Sequence, residues 1–128
     1  MEENEGDEGR TPAPRRDLEE RTERFALRIR SFLSQVHLSA LNESDVRQLV
    51  RSSGSVGANY IEAQNALGRK DFTMRIRIAR KEAKETGYWL RLLTLSDQED
   101  ELGGERGALA REATELTKIL GAIVRKME

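Results

Sequence analysis

The stretch RSSGSVGANYIEAQ, residues 51–64, holds two glycines and three serines between strongly charged neighbours. Three structures would use such residues: a phosphate-cradling loop, a GxxG turn gripping nucleic acid, or a helix thinned for close packing. A Walker-type loop needs GxxxxGK[ST] between a strand and a helix, and neither the lysine nor the strand is here. Gly54, Ser55, Val56 and Gly57 spell GxxG, but the sheet that a KH domain requires has no candidate segment. Read at about 100° per residue, Val46, Leu49, Ser53, Val56, Gly57, Tyr60 and Leu67 fall on one face of a helix. Each interior glycine costs roughly 1 kcal/mol relative to alanine. Close approach of a neighbouring helix is what offsets it. Ser53 and Gly57 then form a small-residue notch on the core side, while Gly54 and Ala58 form a second one facing elsewhere.

The same period extends along the chain, which has no proline after Pro14. Leu18, Phe25, Ile29, Phe32 and Val36 make one stripe, with Asp17 as a candidate cap and Glu19 and Glu20 in the favourable first turn. Residues 38–42 read as a connection, after which Asn42 or Ser44 can cap a second helix reaching about residue 67. Gly68 stands where a C′ glycine would end it. A third helix is expected over 69–95, with Phe72, Ile76, Ala79, Ala83, Leu90 and Leu93 on one side. SDQEDELGGERG, residues 96–107, reads as the longest turn, followed by a fourth helix carrying Leu109, Leu116, Leu120, Ile123 and Met127. No segment alternates with a period of two. Four helices of similar length on short loops predict an all-α, antiparallel up-down-up-down four-helix bundle over residues 17–128.

Residues 1–16 contain Glu2, Glu3, Glu5, Asp7 and Glu8 and both prolines, with too little apolar surface to offset ordering, so a disordered acidic tail is expected there. Without it the remainder is close to neutral. The tail lacks the apolar core of a signal peptide, and no apolar run approaches a membrane span. Charged residues make up 35% of the chain against an ordinary share of about 25%, as helices with solvated outer faces require. With no cysteine, disulfides, thiolate metal sites and cysteine nucleophiles are excluded; this fits a cytoplasmic protein.

The third helix has more apolar surface than one core needs. Met74, Ile78, Trp89 and Leu92 lie opposite its core stripe, and with Gly54 and Ala58 they are the expected oligomer interface. Beside them runs a cationic stripe of Arg77, Arg80, Lys84 and Arg91, with Lys70 and Lys81 on its flanks, suited to phosphates. Solvated charge neutralised by Glu82, Glu85 and neighbouring acids is the plainer alternative.

Catalytic chemistry finds no foothold. A di-iron bundle needs two Glu-x-x-His units, yet the single histidine, His37, has Ser34 three residues before it. Glu62, Glu82 and Glu85 are expected to pair with arginines. No enzyme activity, metal or cofactor is expected.

Two motifs carry a resemblance. SVGANYIEAQ (55–64) and RKDFTMRIRIARKEAKETGYWLRLL (69–93) follow the order S-x-x-A-N-x-x-E-A, R-x-D-F and E-A-x-E-T-x-Y-W-L. In these the chain resembles the four-helix-bundle family first described from proteins encoded in 23S rRNA intervening sequences. The resemblance implies an antiparallel bundle assembled into homopentameric rings. A structurally similar relative, the accessory variability protein of diversity-generating retroelements, is a pentamer whose basic surface binds nucleic acid and a reverse transcriptase. The resemblance thus implies further copies of the chain, RNA or DNA, and a nucleic-acid enzyme such as a reverse transcriptase as candidate partners. From the basic stripe itself, Lys70, Arg77, Arg80, Lys84 and Arg91 are the expected phosphate contacts. A protein-interaction scaffold without nucleic acid is the alternative.

Overall fold

The computed structural model describes residues 14–128. Four helices run in order: α1 Pro14–Leu33, α2 Glu43–Gln64, α3 Arg69–Leu92 and α4 Leu102–Met127, with a 3-10 turn at Asp97–Glu99. Each helix packs on the one before it, and α1 closes the ring against α4. This is the antiparallel up-down-up-down bundle, and no strand occurs among the described residues. The core is aliphatic with two phenylalanines: Phe25, Ile29, Phe32, Leu49, Ile76, Leu90, Leu109, Leu116 and Leu120 are essentially inaccessible to solvent.

The helix ends differ from the sequence expectation, each for a local reason. Residues 1–13 of the expected acidic tail lie outside the described residues. Pro14 opens α1 three residues ahead of Asp17, where its fixed φ and missing N–H suit a first helical turn. Helix α2 stops at Gln64 rather than near residue 67. The Asn65 side-chain amide donates to the Ile61 carbonyl at 2.9 Å and so satisfies a terminal acceptor. Leu67, expected on the core face, is fully exposed, and Gly68 does not end α2 but stands in extended conformation ahead of α3. At the other end α3 stops at Leu92 because the Arg106 guanidinium donates to the Leu90 and Leu93 carbonyls. The expected long turn over 96–107 is shorter than predicted. Ser96 and Glu99 form a capping box around the 3-10 turn, and α4 begins at Leu102, taking Gly103, Gly104 and Gly107 into its first turns.

The end that holds the α1–α2 and α3–α4 loops is tied by polar side chains. Asn42 stands at the start of α2 but does not cap it. Its buried amide accepts from the Ser39 N–H at 2.8 Å and donates to the carbonyls of His37 at 2.9 Å and Thr94 at 3.2 Å. Glu99 accepts the backbone N–H of both Ser96 and His37, which holds its carboxyl below the ordinary range. His37 itself is exposed in the loop past α1.

The glycine-rich stretch is helical throughout, and Gly57 has a defined reason. A Cβ at Gly57 would lie 2.9 Å from the Thr22 hydroxyl oxygen and 3.3 Å from its Cβ, so α1 and α2 close at a distance only glycine permits. Ser53 is fully buried beside it, as the core-side notch requires. Gly54, expected to face elsewhere, lines the same α1–α2 notch as Gly57 at a looser point, where a Cβ would make ordinary contact at 3.7 Å with Arg30. On α2's other flank the Ser52 and Thr86 hydroxyls, both fully buried, meet at 2.8 Å. The α1–α4 seam is closed by charge instead: Arg21 holds Glu112 through two hydrogen bonds of 2.7 and 2.9 Å.

Gly57→Ala is expected to destabilise the fold by about 1–2 kcal/mol through overpacking on Thr22, despite a propensity gain of roughly 1 kcal/mol. Gly54→Ala, four-fifths of a turn away, is expected to stabilise it by about 0.5–1 kcal/mol. Urea denaturation of both variants checks the pair. The hydrogen bond and charge of Arg21 hold the Glu112 carboxyl below its ordinary value, so its stabilisation is present at neutral pH and lost as pH falls through that lowered value. Glu112→Gln should lower stability at pH 7 by about 1 kcal/mol or less, and the deficit should close in strong acid when melting is followed against pH.

Candidate nucleic-acid interface

A groove of about 620 Å³ runs along the seam of α3 and α4, lined by Arg77, Arg80, Lys81, Lys84, Thr117, Lys118, Gly121 and Arg125. A second depression of about 250 Å³ continues it past Gly87, Ala113 and Thr114 to Arg91, and the two share Lys84, Thr117 and Lys118. The floor is small by construction. Gly87 and Gly121 are buried, and a Cβ on Gly87 would already touch the Ala113 methyl at 3.6 Å. With no side chain at Gly121, the guanidinium groups of Arg80 and Arg125 converge above it, each about 3.5–3.6 Å from where a Cβ would stand.

The charge is lopsided. Six cations line the larger depression and no acid does. Arg77 is paired with Glu128 at 2.9 Å, Lys81 with Glu82 at 4.0 Å and Lys118 with Glu115 at 3.8 Å. Among the described residues, Arg80, Lys84 and Arg125 have no carboxylate within ion-pairing distance, and Arg91 rests over the Tyr88 ring at 5.9 Å. Lone cations facing one trough create a positive potential that solvent only partly screens.

Of the residues expected to contact phosphate, Arg77, Arg80, Lys84 and Arg91 are brought together along this groove. Lys70 is not; it lines a separate depression with Gly68, Asp71 and Met74, touching the groove only through the shared Arg77. The groove's other wall, Lys118 and Arg125, was missed. They are seven residues apart on α4 and flank its apolar stripe, so a helical wheel of α4 places them on one edge. Gly121 between them is the companion signal, an interior helical glycine outside the quoted motifs.

The expected interface residues divide. Met74 and Leu92 are exposed at 51% and 46%, and Ile78 is half-buried beside them on the outer face of α3. Trp89 stands at the α2-facing edge of that strip. It is half-buried and packs on the core, edge-on to Tyr88 with ring centroids 5.1 Å apart, and its indole N–H has no acceptor among the described residues. The cause is angular: Trp89 lies about 60° round α3 from Met74 and Leu92, toward α2. Gly54 and Ala58 line a notch of about 340 Å³ between α1 and α2, with Ala26, Arg30 and Ile61, whose acidic rim is Glu19 and Glu23. It lies on the opposite side of the bundle from the cationic groove.

Glu82 and Glu85 both reach Arg51, at 3.2 and 3.7 Å, across the α2–α3 seam. They act as structural partners there. No group of three or more histidine or acidic side chains placed to hold a metal ion occurs among the described residues, and no helix is long and apolar enough to cross a membrane.

Comparison with known proteins agrees with the fold. The crystal structure of a protein of unknown function from the S23 ribosomal protein family of Bacteroides thetaiotaomicron superposes with a TM-score of 0.69 at 30% sequence identity, covering 87% of this chain and 97% of that one. No curated protein matches. The model of the 23S rRNA-intervening sequence protein family matches residues 17–122, which takes in α2 and α3 whole, most of α1 and α4, and every residue of the groove except Arg125. The chain belongs to the 23S rRNA-intervening sequence protein family.

Proposed function

We propose that this protein is a non-catalytic, homo-oligomeric nucleic-acid-binding bundle that holds a sugar-phosphate backbone in the α3–α4 groove. The observation that carries the reading is the convergence of Arg80, Lys84, Lys118 and Arg125 over a floor cleared by Gly87 and Gly121, with no acid in the lining. Guanidinium and ammonium groups in a trough match phosphodiester oxygens in charge and donor geometry. The groove offers no row of exposed aromatics on which bases could stack, so binding is to the backbone and largely indifferent to sequence. RNA and DNA single strands are both acceptable occupants, and an enzyme acting on the same strand is the partner such a subunit would serve.

Assembly has its own support. Met74, Ile78 and Leu92 make an unpartnered apolar strip on α3, and the Gly54–Ala58 notch offers an apolar depression with Ile61 on another side of the bundle. Unlike surfaces on different sides generate head-to-tail contacts, which close into rings when the rotation permits. The family resemblance sets the expected ring at five. The same exposed apolar residues would serve a scaffold that binds other proteins and no nucleic acid, which is the second reading.

Titration of a fluorescent oligouridylate against rising salt tests the groove. With about four phosphates neutralised, log K should fall against log salt with a slope near −3. Arg80→Glu with Lys84→Glu should abolish binding without unfolding the bundle; absence of binding at low salt would leave the scaffold reading. Light scattering tests assembly. The wild type should exceed 14.5 kDa several-fold, and Met74→Glu with Leu92→Glu should lower the association constant more than tenfold. A wild type that stays monomeric at every concentration would remove the oligomer.

A further inference from the structure

The cationic groove has a candidate occupant within the chain itself. We propose that the acidic segment of residues 2–8 seats in the α3–α4 groove of its own subunit and competes with polyanions for it. In its regulatory consequence the inference rests on the nucleic-acid reading above; the contact itself rests on charge, reach and topology.

Charge sorts the two grooves. Segment 2–8 has five carboxylates in seven residues, at Glu2, Glu3, Glu5, Asp7 and Glu8, and no base. The α1–α2 notch sets Glu19 and Glu23 against a single cation, Arg30, and disfavours such a segment. The α3–α4 groove has six cations and no acid around its larger depression. Three of its basic groups, Arg80, Lys84 and Arg125, have no carboxylate partner among the described residues, so an incoming acid displaces nothing there.

Topology brings the segment to the right end. Helix α1 starts at Pro14, and its first turns share a cavity with Gln64, Phe72, Ile119 and Ile123, where α2 ends, α3 begins and α4 ends. Arg77 and Arg125, one mouth of the groove, lie at that same end. From α1 the path crosses one neighbour, α4, a helix about 10–12 Å across. Residues 9–13 span up to about 17 Å when extended, enough to cross it. The lengths then agree. From Arg77 to Arg91 the groove runs fourteen residues of helix, about 21 Å, and residues 2–8 extended cover about 20 Å. The register places Glu8 near Arg125 and Glu2 toward Lys84 and Arg91. A tether this short gives the segment an effective concentration on the order of millimolar, so even a weak pairing, screened as these charges are, competes with a strand in solution.

Two measurements on the full chain test this, against a variant carrying Glu2→Gln, Glu3→Gln, Glu5→Gln, Asp7→Asn and Glu8→Gln. The first is zero-length carbodiimide coupling at low salt, mapped by mass spectrometry on an equal mixture of 15N-labelled and unlabelled chains. Coupling of these carboxylates to Lys84 and Lys118, within one isotopic form, is expected. Coupling no stronger there than at Lys70, which lies outside the groove, would overturn the proposal, as would coupling only between differently labelled chains. The second is affinity for a 20-mer oligouridylate, expected to rise about tenfold in the variant at low salt and to converge with wild type at high salt. Equal affinities at low salt, with binding observed, would overturn the competition. If coupling is found but neither chain binds oligouridylate, the contact stands and the nucleic-acid reading fails.

Discussion

The approach distance between neighbouring helices governs this molecule, and it is set by side chains no larger than threonine. Gly57 admits Thr22 where α1 meets α2, the Ser52 and Thr86 hydroxyls pair in the dry interior between α2 and α3, and Gly87 meets Ala113 between α3 and α4. Small groups facing one another let the helix axes close, and dispersion contacts along the flanking aliphatic rows offset the propensity lost at the glycines. The fourth seam lacks this device. Arg21 and Glu112 join α1 to α4 by a paired charge, with Arg28 and Glu105 at 3.5 Å further along. Such partly solvated pairs contribute little, so the bundle's cohesion resides mainly in its three tight seams.

Tight seams also create the candidate site. Where α3 and α4 come close on glycine, a trough is left above the contact, and long basic side chains from either wall fold over it. Arg80 from one helix and Arg125 from the other meet over Gly121 because nothing stands between them. The chain is close to neutral overall, yet its cations gather on one groove while Glu19 and Glu23 border the other, so the bundle has an electrostatic side as well as an apolar one.

The sequence was most legible where periodicity alone decides. The helical reading of residues 51–64, the close approach at Gly57, and the burial of Ile76, Ala79 and Leu90 follow from a period of 3.6. Helix ends were less legible because they depend on who satisfies the last carbonyls. Asn65 does so through its own side chain and Arg106 from sixteen residues away, and neither is visible as a pattern. Trp89 shares the side of α3 opposite the core stripe but stands on its α2 edge, so it packs partly on the core, which an apolar pattern alone does not distinguish. Half of the cationic groove lay hidden because α3 is basic enough to draw attention alone. Lys118 and Arg125 are seven residues apart on α4, and only the antiparallel pairing of α3 with α4 brings them opposite Arg80 and Lys84.

Asn42 has a consequence for how the molecule breathes. Its amide and the Glu99 carboxylate stitch both loops of one pole to the termini of α1 and α3, joining two loops through contacts 52 and 62 residues apart in the chain. Local opening of either loop must break hydrogen bonds held by the other, so the two loops open together or not at all. The backbone amides of Ser39 and His37, each given to a side chain from its own turn or from across that pole, should be protected from solvent exchange although they lie in a loop.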